Sequence, residues 1–335
     1  MTILEDNDLP PVSIILAIRN EEEHLDRCLE SLVALDYPVE KIEILLVDGM
    51  SNDRTIEIID RWSSRDSRIR KLANPKRIVS TAMNIGLRES RYDLILWTSG
   101  HVLLQPTHLR QCLKTMIKTC AAAVGGVLRT EAFSPIGKIN AIILSSPFGV
   151  GNAAHRIGRQ SGWVPAVTMA LYQKNAIVSA GAWDEKVPRS QDNDLHDRMN
   201  KLGARSYLDS EIRPTYLCRE TLVGLLKQSW TNGYWNVMLT KMKRRGFHIR
   251  HFVPMIFVLS LFSLGLFSFF NGIFFKLLLG ILLLYLLLAL GVSVYNGARR
   301  RFSWQIPLMV FWFLGLHLSY GIASWVAVIR PKTIT

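Results

Sequence analysis

Beyond Glu220 the chain has no acidic residue. From Thr221 to Thr335 it carries 12 Lys or Arg and neither Asp nor Glu, so this stretch holds 12 of the 13 units of net positive charge. The first 220 residues hold 28 basic and 27 acidic side chains, close to balance. The one-signed half also contains three apolar runs. Phe252 to Phe270 has no charge, Ile273 to Val294 has only Lys276, and Trp304 to Ile329 is interrupted only by His317. At 1.5 Å per residue each run is about long enough to cross a ~30 Å hydrocarbon core. Each is apolar all round, unlike a helix that lies on a soluble core. The pattern predicts a soluble domain over residues 1–220 and about three transmembrane helices over 251–330, beside an anionic membrane surface. A nucleic-acid-binding role is excluded, because the excess positive charge lies beside the apolar runs rather than on the soluble half.

The basic flanks orient this arrangement. Lys241, Lys243, Arg244, Arg245 and Arg250 precede the first run, and Arg299, Arg300 and Arg301 lie between the second and third. Both clusters are expected on the cytoplasmic side, with Asn271-Gly272 turning on the far side. Arg330 and Lys332 then fall on the far side, against the rule, so the third run reads as a full span or a re-entrant segment. Met1 to Pro11 is acidic and polar without an apolar core, which predicts no signal peptide and a cytoplasmic catalytic domain on a multi-pass inner-membrane protein. Between the halves, residues 221–250 place Leu222, Leu225, Leu226, Trp230, Tyr234 and Val237 at helical spacing. They predict one or two amphipathic helices flat on the leaflet; the competing reading packs them on the soluble domain. Cys28, Cys112, Cys120 and Cys218 have no paired spacing and read as reduced core thiols.

The soluble half alternates strand and helix. Val12 to Ala17 is an apolar run of buried-strand length, and Asn20 with Glu23 suggests a capping box. Leu25, Cys28, Leu29, Leu32 and Val33 form one helix face. Ile42 to Val47, Arg68 to Leu72 and Leu94 to Trp97 read as further strands, with helices over Asp53 to Trp62 and Thr81 to Glu89. This order predicts an α/β fold with a parallel sheet whose ligands sit at the carboxyl ends of the strands. Residues there include Arg19, Glu21, Asp48, Asn74 and Ser99-Gly100-His101. The turn after the first strand has no glycine, and no Gly-x-x-x-x-Gly-Lys occurs, so neither a Rossmann dinucleotide site nor a P-loop is present. Acidic residues at strand ends suit the hydroxyls and imide of a nucleoside.

Four segments together resemble the family 2 glycosyltransferases of GT-A fold. They are Val12-Ser-Ile-Ile-Leu-Ala-Ile-Arg-Asn-Glu-Glu, Leu46-Val-Asp-Gly-Met-Ser-Asn-Asp-Arg-Thr, Asn84-Ile-Gly, and Gly181-Ala-Trp-Asp-Glu followed by Gln191-Asp-Asn-Asp-Leu-His-Asp-Arg. Pro147-Phe-Gly-Val-Gly-Asn-Ala and the C-terminal apolar runs are similar to the succinoglycan-biosynthesis ExoA-like branch. The resemblance implies an inverting hexosyltransferase that moves a sugar from a nucleotide diphosphate sugar, of UDP type, to a polyprenyl-diphosphate-linked saccharide. It implies donor contacts from Ala17, Arg19, Glu21, Asp48, Asn84, Ser99 and Gly100, with Asp53 as a weaker candidate, and a general base at Asp192. Asn152, Asp194, Arg198, Gln228 and Trp230 fall on its acceptor side, Asp194 and Arg198 as orienting residues. Gln228-Ser-Trp230 departs from the processive Gln-x-x-Arg-Trp form. The family's metal motif is Asp-x-Asp or Asp-x-His, and here Ser99 stands in its first place. A divalent cation, Mn²⁺ or Mg²⁺, then rests on His101, or His101 is an ordinary loop residue, with Arg77 or other basic residues compensating the diphosphate. Two other readings fit the same residues: a polyprenyl-phosphate sugar synthase, and a non-catalytic membrane scaffold of a polysaccharide assembly complex.

Overall fold

The computed structural model describes residues 6–158, 160–242, 251–300 and 305–330. Lys243, Arg244, Arg245, Arg250, Arg301, Trp304 and Lys332, and with them most of the basic clusters that orient the chain, lie outside the described residues. Two compact units emerge. One comprises Met1–Arg129 and Ala154–Leu217, the other Thr130–Ala153 and Cys218–Thr335. The stretch expected as one domain over residues 1–220 is therefore interrupted: Thr130–Ala153 belongs with the C-terminal helices.

The first unit is built on strands β1 (Val12–Ile18), β2 (Ile42–Asp48), β3 (Ile69–Ala73), β4 (Leu94–Ser99), β5 (Val102–Leu103), β6 (Ala123–Gly125), β7 (Arg129–Glu131, where the chain passes into the second unit), β8 (Gly162–Val164), β9 (Leu171–Gln173), β10 (Ser206–Leu208) and β11 (Thr215–Leu217). Eight form one sheet in the order β3-β2-β1-β4-β9-β6-β10-β8. The β3-β2-β1-β4 half is parallel, as the alternation of strand and helix predicts. β9 then runs antiparallel between β4 and β6. All seven residues of β2 are buried, the mark of a strand covered on both faces. Gly86 explains the Asn-x-Gly motif. A Cβ there would lie 2.3 Å from Ile15 Cγ2, so the helix Val79–Glu89 reaches β1 only because this position lacks a side chain.

One local expectation fails. Asn20 does not cap a helix: it adopts a left-handed backbone with φ of 54°, and its Oδ1 accepts from Asn52 N at 3.0 Å. The helix begins later, over Leu25–Val33, behind His24. Asn20 is short enough to tolerate that conformation while bonding a neighbouring loop, and the amide it satisfies lies after β2 rather than in its own helix.

In the second unit, Gly272–Arg299 and Ile306–Ile329 are long and apolar enough to cross a membrane. The first apolar run forms a shorter helix, Phe252–Phe267, of 16 residues, roughly 24 Å at 1.5 Å per residue. The stretch before it is a single helix, Leu222–Lys241, packed lengthwise on Ile306–Ile329. Ser229 Oγ donates to Leu316 O at 2.8 Å, Ser319 Oγ to Leu226 O at 2.9 Å and Ser324 Oγ to Gly233 O at 3.2 Å. A Cβ on Gly233 would sit 2.3 Å from Tyr320 O, so the seam depends on small residues. At its end Lys241 Nζ donates to the carbonyls of Ala327, Val328 and Arg330 at 2.7, 2.6 and 2.7 Å. The two helices run in one direction and finish together. The charge pattern puts Lys241 and Arg330 on opposite faces; these hydrogen bonds put them at one end, because the lysine satisfies carbonyls that a helix C-terminus leaves open.

Thr130–Ala153 joins this unit through aromatic and polar contacts. Trp312 Nε1 donates to Asn140 Oδ1 at 3.0 Å, and the Phe148 ring packs against Tyr285, Phe313 and His317. His317 is held between Tyr285 Oη at 2.9 Å and Phe148 O at 2.9 Å, so the imidazole within the last apolar run is a satisfied group.

Candidate active site

Strand register gathers the candidate donor residues. Ile18 pairs with Asp48, Ala17 with both Val47 and Ser99, and Asp48 with Ala73, so four parallel strands end in one row. Asp48, 4% exposed, closes β2. Its carboxylate accepts from Ser51 Oγ at 2.6 Å and Ser51 N at 3.1 Å, a turn that fixes the side chain at the strand end. It also lines a cavity of about 440 Å³ with Met50, Ser51, Ile56, Lys71, Leu72 and Ala73. Arg19 is exposed one residue beyond β1, and its stem lies against Gly49, where a Cβ would come within 3.3 Å. Asn74, expected in the same row, is buried and bonds Ile78 O at 2.9 Å. Asp53 lies just before the next helix, Thr55–Arg65, and accepts from Thr55 N at 3.0 Å.

Glu21, expected on the nucleoside, faces a different partner. Its Oε1 lies 2.8 Å from His101 Nδ1, while His101 Nε2 lies 3.4 Å from Ser99 Oγ. Gly100 makes this possible: a Cβ there would be 3.0 Å from Glu21 Cγ. The His101 ring also meets the edge of Tyr216, with centroids 5.3 Å apart, and the Arg156 guanidinium stands 4.6 Å from the Tyr216 centroid. Tyr216 and Arg156 carry no motif, so sequence reasoning had no signal for them. Among the described residues no group of three His, Cys, Asp or Glu side chains is placed to hold a metal. The residues present still suit a single protein ligand. A carboxylate that accepts a hydrogen bond from the Nδ1–H of a neutral imidazole leaves Nε2 as the acceptor, the arrangement found behind metal-bound histidines.

Asp192 begins the helix Gln191–Lys201. Burial pushes its carboxyl up to about 6; the indole N–H groups of Trp97 and Trp183 and the charge of Arg189 pull against that rise. Its neighbours are fixed by a separate set of bonds. Asp194 pairs with Arg198 at 2.8 Å, and Arg198 also donates to Ala180 O. Asn84 does not face the strand ends: its amide nitrogen donates to Trp183 O at 2.7 Å and its oxygen accepts from Trp183 N at 3.0 Å. Ser80 Oγ donates to Val187 O at 2.6 Å. The segment Gly181 to Arg189 is thus pinned from the helix Val79–Glu89 on one side and from Arg198 on the other. Behind it lies a buried chain, Tyr172 Oη to His196 Nε2 at 3.0 Å and His196 Nδ1 to Ser206 Oγ at 2.9 Å. Burial pushes His196 down to about 4, so it is neutral.

The remaining acceptor-side candidates fall in the second unit. Asn152 follows the short helix Pro147–Val150, and Gln228 and Trp230 lie on Leu222–Lys241, where Trp230 is 41% exposed.

A parallel half-sheet ending in acidic and polar side chains, with a carboxylate at the start of a nearby helix, is the ligand-binding edge of an α/β domain. Residues 13–177 match the Glycosyl transferase family 2 profile, and the chain carries a glycosyltransferase domain of that family in a GT-A-like fold. It is similar to the succinoglycan biosynthesis protein ExoA of Rhizobium meliloti (strain 1021), with 28% identity over 222 residues, 66% of this chain and 67% of that protein. It is also similar to the dolichyl N-acetyl-alpha-D-glucosaminyl phosphate 3-beta-D-2,3-diacetamido-2,3-dideoxy-beta-D-glucuronosyltransferase of Methanococcus voltae. There identity is 24% over 322 residues, 92% of this chain and 95% of that one. A poly-beta-1,6-N-acetyl-D-glucosamine synthase of Staphylococcus aureus is 26% identical over 76% of this chain, which spans 63% of that protein. Among solved structures, a mannosyltransferase from Pyrobaculum calidifontis in complex with GDP-Man and Mn²⁺ shares the fold. Its TM-score is 0.60 at 16% identity, covering 97% of this chain and 89% of that one. The chain is a hexosyltransferase-type enzyme of polysaccharide or glycan biosynthesis, and two of its helices are candidate membrane spans.

Proposed function

We propose that this enzyme transfers a sugar, with inversion, from a nucleotide diphosphate sugar of UDP type to a lipid-linked saccharide at the cytoplasmic face of the inner membrane. The observation that carries the reading is the row of strand ends around Asp48 and its cavity, together with the half-buried Asp192, whose Oδ1 is shut off from solvent and whose carboxyl is poised to take a proton near neutral pH. In this reading Asp48 and Arg19 hold the nucleoside end of the donor. The acceptor hydroxyl attacks the anomeric carbon from the face opposite the diphosphate. A carbon–oxygen bond forms there as the bond to the nucleotide diphosphate breaks, and the hydroxyl proton passes to Asp192. Lipid linkage of the acceptor draws support from the apolar second unit and from the dolichyl-linked substrate that names the Methanococcus voltae relative. Gln228, Trp230 and Asn152, carried by that unit, are the acceptor-side candidates.

A divalent cation fits His101, whose Nε2 is freed by the Glu21 contact, with the donor diphosphate supplying further oxygens. Bound there, the cation would offset charge on the departing diphosphate. With serine in place of a carboxylate at position 99, the natural enzyme should bind Mn²⁺ weakly. Ser99→Asp is expected to tighten Mn²⁺ binding on the order of ten-fold without abolishing donor binding, as titration calorimetry would read. Tight Mn²⁺ binding unchanged by His101→Ala would remove this loop from the metal site.

The proposed function is tested by screening nucleotide sugars for binding, hydrolysis and transfer with the detergent-purified protein. Transfer should rise with pH through about 6, because Asp192 accepts a proton only when ionised and burial has moved its carboxyl to that range. Binding of no nucleotide sugar by the folded protein would overturn the reading.

A further inference from the structure

Three polar atoms of the first unit, Asp192 Oδ1, Trp97 Nε1 and Trp183 Nε1, are each shut off from solvent and complete no regular hydrogen bond; the two tryptophans share one core cluster, and both indole N–H groups act on the Asp192 carboxyl. Trp97 is 3% and Trp183 1% exposed. Buried donors and acceptors left open are costly, by about 1–3 kcal/mol each, and persist where function requires them. Both indoles are well anchored. Trp97 lies on β4, two residues before Ser99 and so on the same face of the strand, and its backbone N–H donates to Ala170 O at 3.0 Å. Trp183 is clamped at both backbone polar groups by Asn84.

From this geometry we infer that Trp97 and Trp183 are positioning residues for glycosyl transfer: their indole N–H groups close on the Asp192 carboxylate and keep it aimed and proton-accepting inside an apolar core. The inference rests on Asp192 as the base in the proposed function. An indole is suited to this task, since it donates one proton, accepts none and carries no charge. It favours the carboxylate over the carboxylic acid without neutralising the base, as a paired Arg would. The other groups facing Asp192 are Arg189, from the preceding loop, which also favours the ionised form, and Tyr172 on β9, which stays protonated in the core. Asp194, two residues on, is committed to Arg198. Asn84 thereby gains a role the strand-end expectation did not give it: it orients Trp183, and Trp183 orients the base.

The test compares pH–rate profiles of kcat/KM. Trp183→Phe keeps an aromatic ring and removes the donor, so the Asp192 carboxyl should rise by about one pH unit and the acidic limb should move up with it. At pH 6 transfer should fall about five-fold, approaching ten-fold at lower pH and shrinking as pH is raised. Trp97→Phe should do the same. A lost ring contact alone would lower the profile without moving its limb, and an unmoved or downward-shifted limb overturns the inference. Should the variants fail to fold, the unmutated protein answers by NMR. The Trp97 and Trp183 indole protons should titrate with one midpoint, and the titration should vanish in Asp192→Asn; resonances indifferent to pH would also overturn it. If Asp192→Asn abolishes transfer while the limb of the Trp183→Phe profile stays put, the base survives and only the positioning role falls. Near-normal transfer by Asp192→Asn removes both.

Discussion

Asp192→Asn is expected to lose transfer by on the order of 10²–10⁴-fold while still binding the nucleotide sugar. The amide keeps the shape of the carboxylate and removes its basicity. Donor binding should survive because it rests on Asp48 and the strand-end row, and Asp48 is fixed by Ser51 rather than by anything on the helix Gln191–Lys201. Asp194→Asn should behave differently. Its carboxylate bonds Arg198, which in turn holds Ala180, so its loss should loosen the pinned segment before the base and lower stability along with rate. Measuring transfer, donor affinity and thermal unfolding side by side separates the two aspartates. Near-normal transfer by the Asp192 variant would move the base elsewhere.

The parallel half-sheet was legible because its strands are short apolar runs with helical periodicity between them, and the placement of Asp48 and Asp192, though not their role, was legible because each stands at a chemical discontinuity, a carboxylate where an apolar strand stops or a helix starts. What the sequence hid is pairing at a distance. Glu21 reads as one more strand-end carboxylate; only the fold shows it turned to His101, 80 residues away. Asn84 reads as a ligand residue because the family motif contains it, yet both polar atoms of its side chain are engaged by Trp183, 99 residues on. Trp97 enters the sequence only as the end of a strand and Trp183 only inside a family segment, and nothing in a linear pattern directs either indole toward Asp192. The C-terminal half misled in another way. Trp230 and Tyr234 at helical spacing point to a helix at a membrane surface, but Ser229, Gly233 and Asn236, which look unremarkable in sequence, form the face that is buried.

That buried face makes a second expectation, concerning topology. Lys241 Nζ holds three carbonyls at the end of Ile306–Ile329, and Arg330 stacks over Tyr234 at 5.9 Å. Whichever face of the membrane receives Lys241 must therefore receive Arg330. The positive-inside rule assigns Lys241, like the Arg299 to Arg301 cluster, to the cytoplasm; with Gly272–Arg299 crossing, Ile306–Ile329 is then expected to start and finish on the cytoplasmic side, as the re-entrant reading has it and not as a full span, and the apparent violation by Arg330 disappears. Single cysteines at positions 242 and 330, in a protein whose four native cysteines are replaced, should both resist an impermeant thiol reagent applied to intact cells and both react after lysis. A cysteine at Asn271, in the turn between Phe252–Phe267 and Gly272–Arg300, should react from outside. Labelling of 330 but not 242 from outside would break the pairing of the two helices. Opening that seam should also be costly. A side chain on Gly233 would drive its Cβ to 2.3 Å from a backbone carbonyl, and backbone cannot move aside as a flexible side chain can. Gly233→Leu should thus separate the helices and expose a cysteine placed at Ser324, buried in the seam, to a reagent in detergent, where the parent protein shields it.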